Sequence, residues 1–151
     1  MPYKSTKTYT HEVGLSSCFR QHNAKSHCRF LHGYALQFKF TFAAMHLDEN
    51  NWVVDFGSLK PLRKNLEQLF DHKLIVARDD PNLETFKSLE QQGLAQLTIL
   101  EHVGCEAFAA TAYTIAYDVV RALHPRVWVV SAECHEHGAN SAIYEGALTR
   151  V

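Results

Sequence analysis

From His32 onward the chain alternates. Tyr34, Leu36, Phe38, Phe40 and Phe42 are apolar while Gln37, Lys39 and Thr41 are polar, the period of two expected of a half-buried antiparallel strand. With pairing unbroken through Gly33, His32 shares the buried face with those aromatics; a bulge at Gly33 would re-aim its neighbours instead. Upstream, Tyr3, Thr6, Thr8, Tyr9, Thr10 and Val13 predict a first strand that Gly14 interrupts. Residues 15–27 are mixed and polar, and Arg20-Gln21-His22-Asn23-Ala24-Lys25-Ser26 reads as a loop returning the chain toward the long strand.

The period then changes. Leu59, Leu62, Leu66 and Leu69 or Phe70 recur at three- and four-residue spacing, which predicts an amphipathic helix capped by Ser58 with Pro61 in its first turn. It ends at Asp71-His72, and a short apolar run, Leu74-Ile75-Val76-Ala77, follows. Asp79-Asp80-Pro81 opens a second helix, with Asp80 as cap, that Gly93 stops, and residues 94–100 read as a short strand. Phe108, Ala112, Ile115, Val119 and Leu123 set the stripe of a longer helix that begins near Gly104-Cys105-Glu106 and exits at Pro125. A final strand over 127–136 turns at Gly138-Ala139-Asn140 toward Ile143-Tyr144-Glu145. This order predicts one α+β domain over 1–151, an antiparallel sheet with two main helices on one face.

Composition narrows the functional classes. Lys+Arg 15 against Asp+Glu 16 gives a formal charge of −1, so neither nucleic acid nor a membrane surface is suggested and a small-molecule partner becomes the expectation. The N-terminus lacks the apolar core of a signal peptide and no run approaches a membrane span, which predicts a cytoplasmic protein. Cys18, Cys28, Cys105 and Cys134 form no CxxC pair and read as free thiols. Ten histidines are the stronger signal, because imidazole supplies metal ligands and proton shuttles near neutral pH.

His27, Cys28 and His32 put a thiol and two imidazoles within six residues. Cys28 with Asp71-His72 supplies the groups for proton removal or nucleophilic attack if the fold unites them. A buried small apolar residue for Cys28, and a helix end for Asp71-His72, explain the same residues without function.

The ordered set Cys28-x-x-Leu31-His32-Gly33, Val54-Asp55-Phe56-x-x-Leu59-Lys60, Asp71-His72-x-Leu74, and Glu136 with Ile143-Tyr144-x-Gly146 resembles the 6-pyruvoyl-tetrahydropterin synthase / 6-carboxy-tetrahydropterin synthase (QueD) family. The resemblance implies a tunnelling fold whose subunits join into a β-barrel oligomer, a trimer or hexamer with sites between subunits. It implies a lyase acting on 7,8-dihydroneopterin triphosphate, in the carboxy branch on the path to deazapurines such as queuosine. Cys28 then falls on the catalytic thiol, Asp71 and His72 on the pair completing the proton relay, and Glu136 on the pterin anchor. Glu133 is a rival anchor, but only Glu136 keeps the family's gap to Tyr144. Cys105-Glu106 falls on a Thr-Glu position that also contacts the pterin.

The family also binds zinc through three histidines, and here the pattern departs. Phe19 stands at the first position and Tyr34 at the third, leaving His32. Three alternatives stay open: His22 or His27 joins His32, the chain binds pterin without metal, or another metal takes Tyr34 as an oxygen ligand. His135 and His137 have parity opposite to Glu136 and read as pocket, interface or solvated strand-end residues.

Overall fold

The computed structural model describes residues 1–146; residues 147–151 of the expected domain lie outside them. The elements are β1 (Tyr3–Tyr9), β2 (Leu15–Phe19), β3 (His32–Ala44), α1 (Lys60–Phe70), β4 (Lys73–Ala77), α2 (Leu83–Gln91), β5 (Leu97–Leu100), α3 (Cys105–Leu123), β6 (Trp128–His137) and β7 (Asn140–Glu145).

β3 is the axis. Leu36, Phe38, Phe40 and Phe42 are all 0% exposed, as their alternation requires. β3 is long enough to carry two strands end to end along one side: β1 pairs from Tyr3↔Ala44 to Tyr9↔Phe38, and β2 from Leu15↔Leu36 to Phe19↔His32. Between them a 3-10 turn at His11–Val13 closes on Gly14 at φ 78, a left-handed value that glycine adopts without strain.

β2 is the first element that the sequence reading does not predict, since it assigns residues 15–19 no element and places its loop over 20–26. Leu15, Ser17 and Phe19 are buried in alternation. The signal is hidden because the middle inward position is Ser17, whose hydroxyl donates to the Phe70 carbonyl at 2.7 Å. A hydrogen-bonded serine is buried at little cost.

The sheet is also mixed rather than antiparallel throughout. Its order is β5-β4-β2-β3-β6-β7, with β4 parallel to both β2 and β5. Parallel neighbours need a crossover, and α2 supplies one between β4 and β5. α1 and α3 cover one face, where Phe19, Phe38, Phe70 and Phe108 interlock with centroids 4.9 to 5.4 Å apart. α2 lies on the opposite face, where Phe86 packs with Leu74 and Val76, while Ile75 and Ala77 of the same strand join the main core. The segment 78–103 thus adds a strand and a second helical layer.

Both predicted caps shift. Asp55, not Ser58, accepts from the Gly57 N–H at 2.9 Å and starts the 3-10 turn Phe56–Leu59 that leads into α1. Ser58 donates to the Asp55 carbonyl at 2.6 Å. Asn82 holds the cap position of α2, while the Asp80 carboxylate accepts its N–H at 2.8 Å and otherwise faces Arg20. Among the described residues no helix is long and apolar enough to cross a membrane.

Gly33 joins β2 to the site strand. A Cβ there would sit 2.6 Å from the Ser17 carbonyl oxygen, and backbone cannot step aside as a side chain can. Gly33→Ala is expected to lower the unfolding free energy by about 2 kcal/mol, measurable by urea denaturation.

Candidate functional site

The start of β3 meets the start of α3 and the end of β6. Phe38 pairs with Cys134 and both are 0% exposed, so alternation turns Glu136 to the same helix-covered face as Tyr34. Glu133 turns the other way, 3.8 Å from Lys39 and 3.2 Å from His135. Cys105 and Glu106 form the first turn of α3, where backbone N–H groups are unpaired and an anionic or polar ligand edge is favoured.

Cys28 comes from a 3-10 turn, His27–Arg29, where the Ser26 hydroxyl accepts the Cys28 N–H at 3.4 Å. Two anchors hold this loop. The Gln21 N–H donates to the Cys28 carbonyl at 2.9 Å, and the Gln21 side chain donates to the Val103 carbonyl at 2.6 Å, just before α3. Arg20 reaches the Arg29 carbonyl at 3.4 Å while its guanidinium grips Asp80 at 2.7 and 2.9 Å. Sequence reasoning left Arg20 and Gln21 in a return loop. The signal available in the sequence is Arg20 itself, a charged residue directly after Phe19, the position that the resemblance gives to the first zinc histidine.

Electrostatics tie these groups together. Burial raises the Tyr34 phenol above its ordinary value, and Glu136, Cys28 and Cys105 raise it further. Cys105 is lowered, chiefly by a hydrogen bond with the Cys134 thiol, against burial and the Glu136 and Glu106 carboxylates. Its Sγ also lies 2.9 Å from the Cys134 carbonyl, to which it donates. The Cys134 thiol is pushed up by the Cys105 contact and by burial, which makes it a core group.

Asp71 and His72 lie elsewhere. His72 Nδ1 is 2.7 Å from Asp71 Oδ1; the carboxylate accepts, so Nδ1 carries the proton and Nε2 presents a lone pair. Asp71 is steadied by the Ser16 N–H at 3.4 Å. The His72 side chain is 82% exposed and borders a surface groove with Cys18, Gly33 and Gln96. Cys18 packs with the α2 cluster, on the sheet face opposite Tyr34. No hydrogen bond among the described residues joins this dyad to Cys28 or Glu136 within one chain.

His72 also has φ 55, a left-handed conformation that costs a non-glycine residue about 1 kcal/mol. His72→Gly is therefore expected to raise stability by about that amount in thermal unfolding while removing the imidazole.

The three positions that the resemblance gives to zinc converge. Phe19 and His32 are cross-strand partners. Ring centroids are 5.0 Å apart for Phe19–His32, 5.7 Å for His32–Tyr34 and 6.1 Å for Phe19–Tyr34. Three imidazoles on one tetrahedral zinc, with Zn–N of about 2.1 Å, place their centroids roughly 5 Å apart. The spacing of a metal centre is present, but its donors are not, because Phe19 has no lone pair to give. His22 lies 3.8 Å from Asp79 and 4.0 Å from Asp80, and His27 is exposed. Among the described residues no group of three His, Cys, Asp or Glu side chains is placed to hold a metal ion.

The family model for 6-pyruvoyl tetrahydropterin synthase matches residues 8–147. The chain belongs to that family. Relatives named 6-carboxy-5,6,7,8-tetrahydropterin synthase include one from Rickettsia typhi, 35% identical over 75 residues, or 49% of this chain and 54% of that protein. Another, from Rickettsia bellii, is 40% identical over 57 residues, or 37% of this chain and 41% of that protein. The matches thus span about half the length of these curated relatives, or less.

Among solved structures, an uncharacterized protein from Wolinella succinogenes superposes with a TM-score of 0.82 at 18% identity, covering 97% of this chain and 99% of that one. The 6-pyruvoyl tetrahydropterin synthase of Plasmodium falciparum superposes with a TM-score of 0.68 at 13% identity, with the same coverage. These likenesses show that the 6-pyruvoyl tetrahydropterin synthase fold extends over nearly the whole chain.

Proposed function

We propose that this chain is a pterin-processing lyase of the 6-carboxy-5,6,7,8-tetrahydropterin synthase type, acting on 7,8-dihydroneopterin triphosphate. The observation that carries the reading is the convergence of Cys28, Tyr34, Cys105 and Glu136 at one end of the sheet, beside the first turn of α3. Glu136 accepts hydrogen bonds from the pterin's amino group and adjacent N–H, a donor pair that suits one carboxylate. Glu106 and Cys105 line the same ring edge. Cys28 removes a proton from the ligand's C6 side chain, and an imidazole oriented as His72 is by Asp71 moves protons at the opposite side.

Because His72 is exposed on the other face of its own sheet, the relay is completed by a second copy of the chain, in a cytoplasmic trimer or hexamer. In the carboxy branch the product is 6-carboxy-tetrahydropterin, a precursor of deazapurines such as queuosine, with loss of acetaldehyde and triphosphate. The residues at positions 19, 32 and 34 do not make a zinc set, so no step is assigned to a metal. Incubation of the full chain with 7,8-dihydroneopterin triphosphate, with products identified by mass spectrometry, tests the reading. The carboxy product is expected, and Cys28→Ala is expected to remove it.

A second reading rests on Phe19 and Tyr34, which take away the family's metal donors: a pterin-binding oligomer without turnover. Tight pterin binding with no product from the unaltered chain selects it. The pyruvoyl product instead selects 6-pyruvoyl-tetrahydropterin synthase activity, and turnover of a different pterin selects a related tunnelling-fold enzyme.

A further inference from the structure

Phe19, His32 and Tyr34 keep the spacing of a three-ligand metal centre while changing its chemistry. Phe19 is 1% exposed and packs edge-on against Phe108 at 5.0 Å, so this corner of the pocket is a hydrocarbon wall continuous with the core. His32 Nδ1 is 2.7 Å from the Phe30 carbonyl oxygen. A carbonyl can only accept, so Nδ1 carries the proton and Nε2 is left as an acceptor. Tyr34 is half-buried at the end of the same face, its ring edge-on to His32 at 5.7 Å. Among the described residues nothing bonds its hydroxyl, and the hydroxyl is not one of the buried unpaired polar atoms. It is therefore an open donor at this end of the sheet, with Glu136 and the Cys28 thiol as its neighbours.

We propose that this pocket is a metal-free form of the family's centre, in which the Tyr34 hydroxyl donates a hydrogen bond to the oxygen of the pterin's C6 side chain where a metal would otherwise bind it. The inference rests on the pterin reading above and goes beyond it by naming what takes over the metal's position. The chemical logic is that a proton shift onto the ring's C=N first turns a side-chain carbinol carbon into a carbonyl, and removing a proton from the next carbon then leaves negative charge on that oxygen. An O–H donor beside the hydrocarbon of Phe19 stabilises the charge as a Lewis acid would, though more weakly. His32 Nε2, as an acceptor, is suited to a hydroxyl on the adjacent side-chain carbon. Phe19 excludes water from the same corner.

The test has a metal arm and a ligand arm, both on the untagged full chain. After incubation with zinc and dialysis, elemental analysis is expected to find far less than one zinc per chain. The double substitution Phe19→His with Tyr34→His is expected to hold about one, since it restores three imidazoles at spacings suited to tetrahedral zinc. Should Phe19→His prevent folding, Tyr34→Phe gives an independent reading. One zinc per unaltered chain, lost in Tyr34→Phe, overturns the proposal and makes Tyr34 a ligand; one zinc retained in Tyr34→Phe also overturns it.

In the ligand arm, fluorescence titration compares neopterin, which has side-chain hydroxyls, with unsubstituted pterin. Tyr34→Phe is expected to weaken neopterin about five- to tenfold, the worth of one neutral hydrogen bond, and to leave pterin binding unchanged. Equal losses for both, or none for neopterin, overturn the role of the hydroxyl. If the unaltered chain binds neither, the pterin reading falls and the hydroxyl's role falls with it, while the zinc counts still decide whether the centre is metal-free.

Discussion

Chains carrying Cys28→Ala and chains carrying His72→Ala are each expected to lose turnover by about a thousandfold, the usual worth of a positioned proton-transfer group. Assembled together in equal amounts and selected for mixed oligomers, they are expected to recover about a quarter (hexamer) to a third (trimer) of the unaltered rate, because an intact site needs a subunit with its thiol beside a neighbour with its imidazole. The reason is geometric. Cys28 belongs to the loop at the helix-covered face, beside Tyr34 and Glu136. His72 borders the groove on the other face, with 82% of its side chain in solvent and its ring fixed by Asp71. Within one copy no hydrogen bond among the described residues joins the two, and β2 and β4, paired through Ser17↔Lys73 and Phe19↔Ile75, lie between their faces. Co-expression of two differently tagged variants and assay of the doubly purified oligomer measures the recovery. Activity that stays at the level of the single variants would place the relay within one chain or remove His72 from it.

That geometry also marks what the sequence could and could not disclose. β3 is legible because five aromatic or aliphatic side chains alternate with polar ones and nothing competes with that period. β2 is not, since Ser16-Ser17 looks like turn chemistry until the Phe70 carbonyl is seen to accept the buried hydroxyl. The parallel half of the sheet escapes for a related reason: β4 is apolar throughout because both its faces are covered, one by the main core and one by α2.

For the site, the resemblance puts Phe19, His32 and Tyr34 at related positions, but only the Phe19↔His32 register turns that into a three-ring cluster. The grip of Arg20 on Asp80, across a separation of 60 residues, follows no period at all and could be found only in three dimensions.

That ion pair carries the largest stability effect expected of a polar group here. Arg20 Nε meets Asp80 Oδ2 at 2.9 Å and Nη2 meets Oδ1 at 2.7 Å, the two-pronged geometry that makes arginine–carboxylate pairs strong. The Asp80 side chain is 1% exposed and that of Arg20 20%. Asp80→Ala leaves the guanidinium with only the Asn82 amide oxygen at 3.1 Å and the Arg29 carbonyl at 3.4 Å. The loss is expected to be about 3 kcal/mol, since a mostly buried charge is left without its partner. For a chain of this length that lowers the melting temperature by roughly 10 °C. An apolar pair, Arg20→Met with Asp80→Leu, should recover most of the stability yet leave the Cys28 loop without its guanidinium anchor, so turnover stays low while folding returns.

The pH dependence follows from the same contact. The hydrogen bond from Arg20 holds the Asp80 carboxyl below its ordinary value. A carboxyl depressed in the folded state contributes stability that is present above its unfolded pKa of about 3.9 and is lost as pH falls through the lower folded value. Urea denaturation should therefore separate the unaltered chain from Asp80→Asn widely at pH 7. The gap should narrow only below about pH 4.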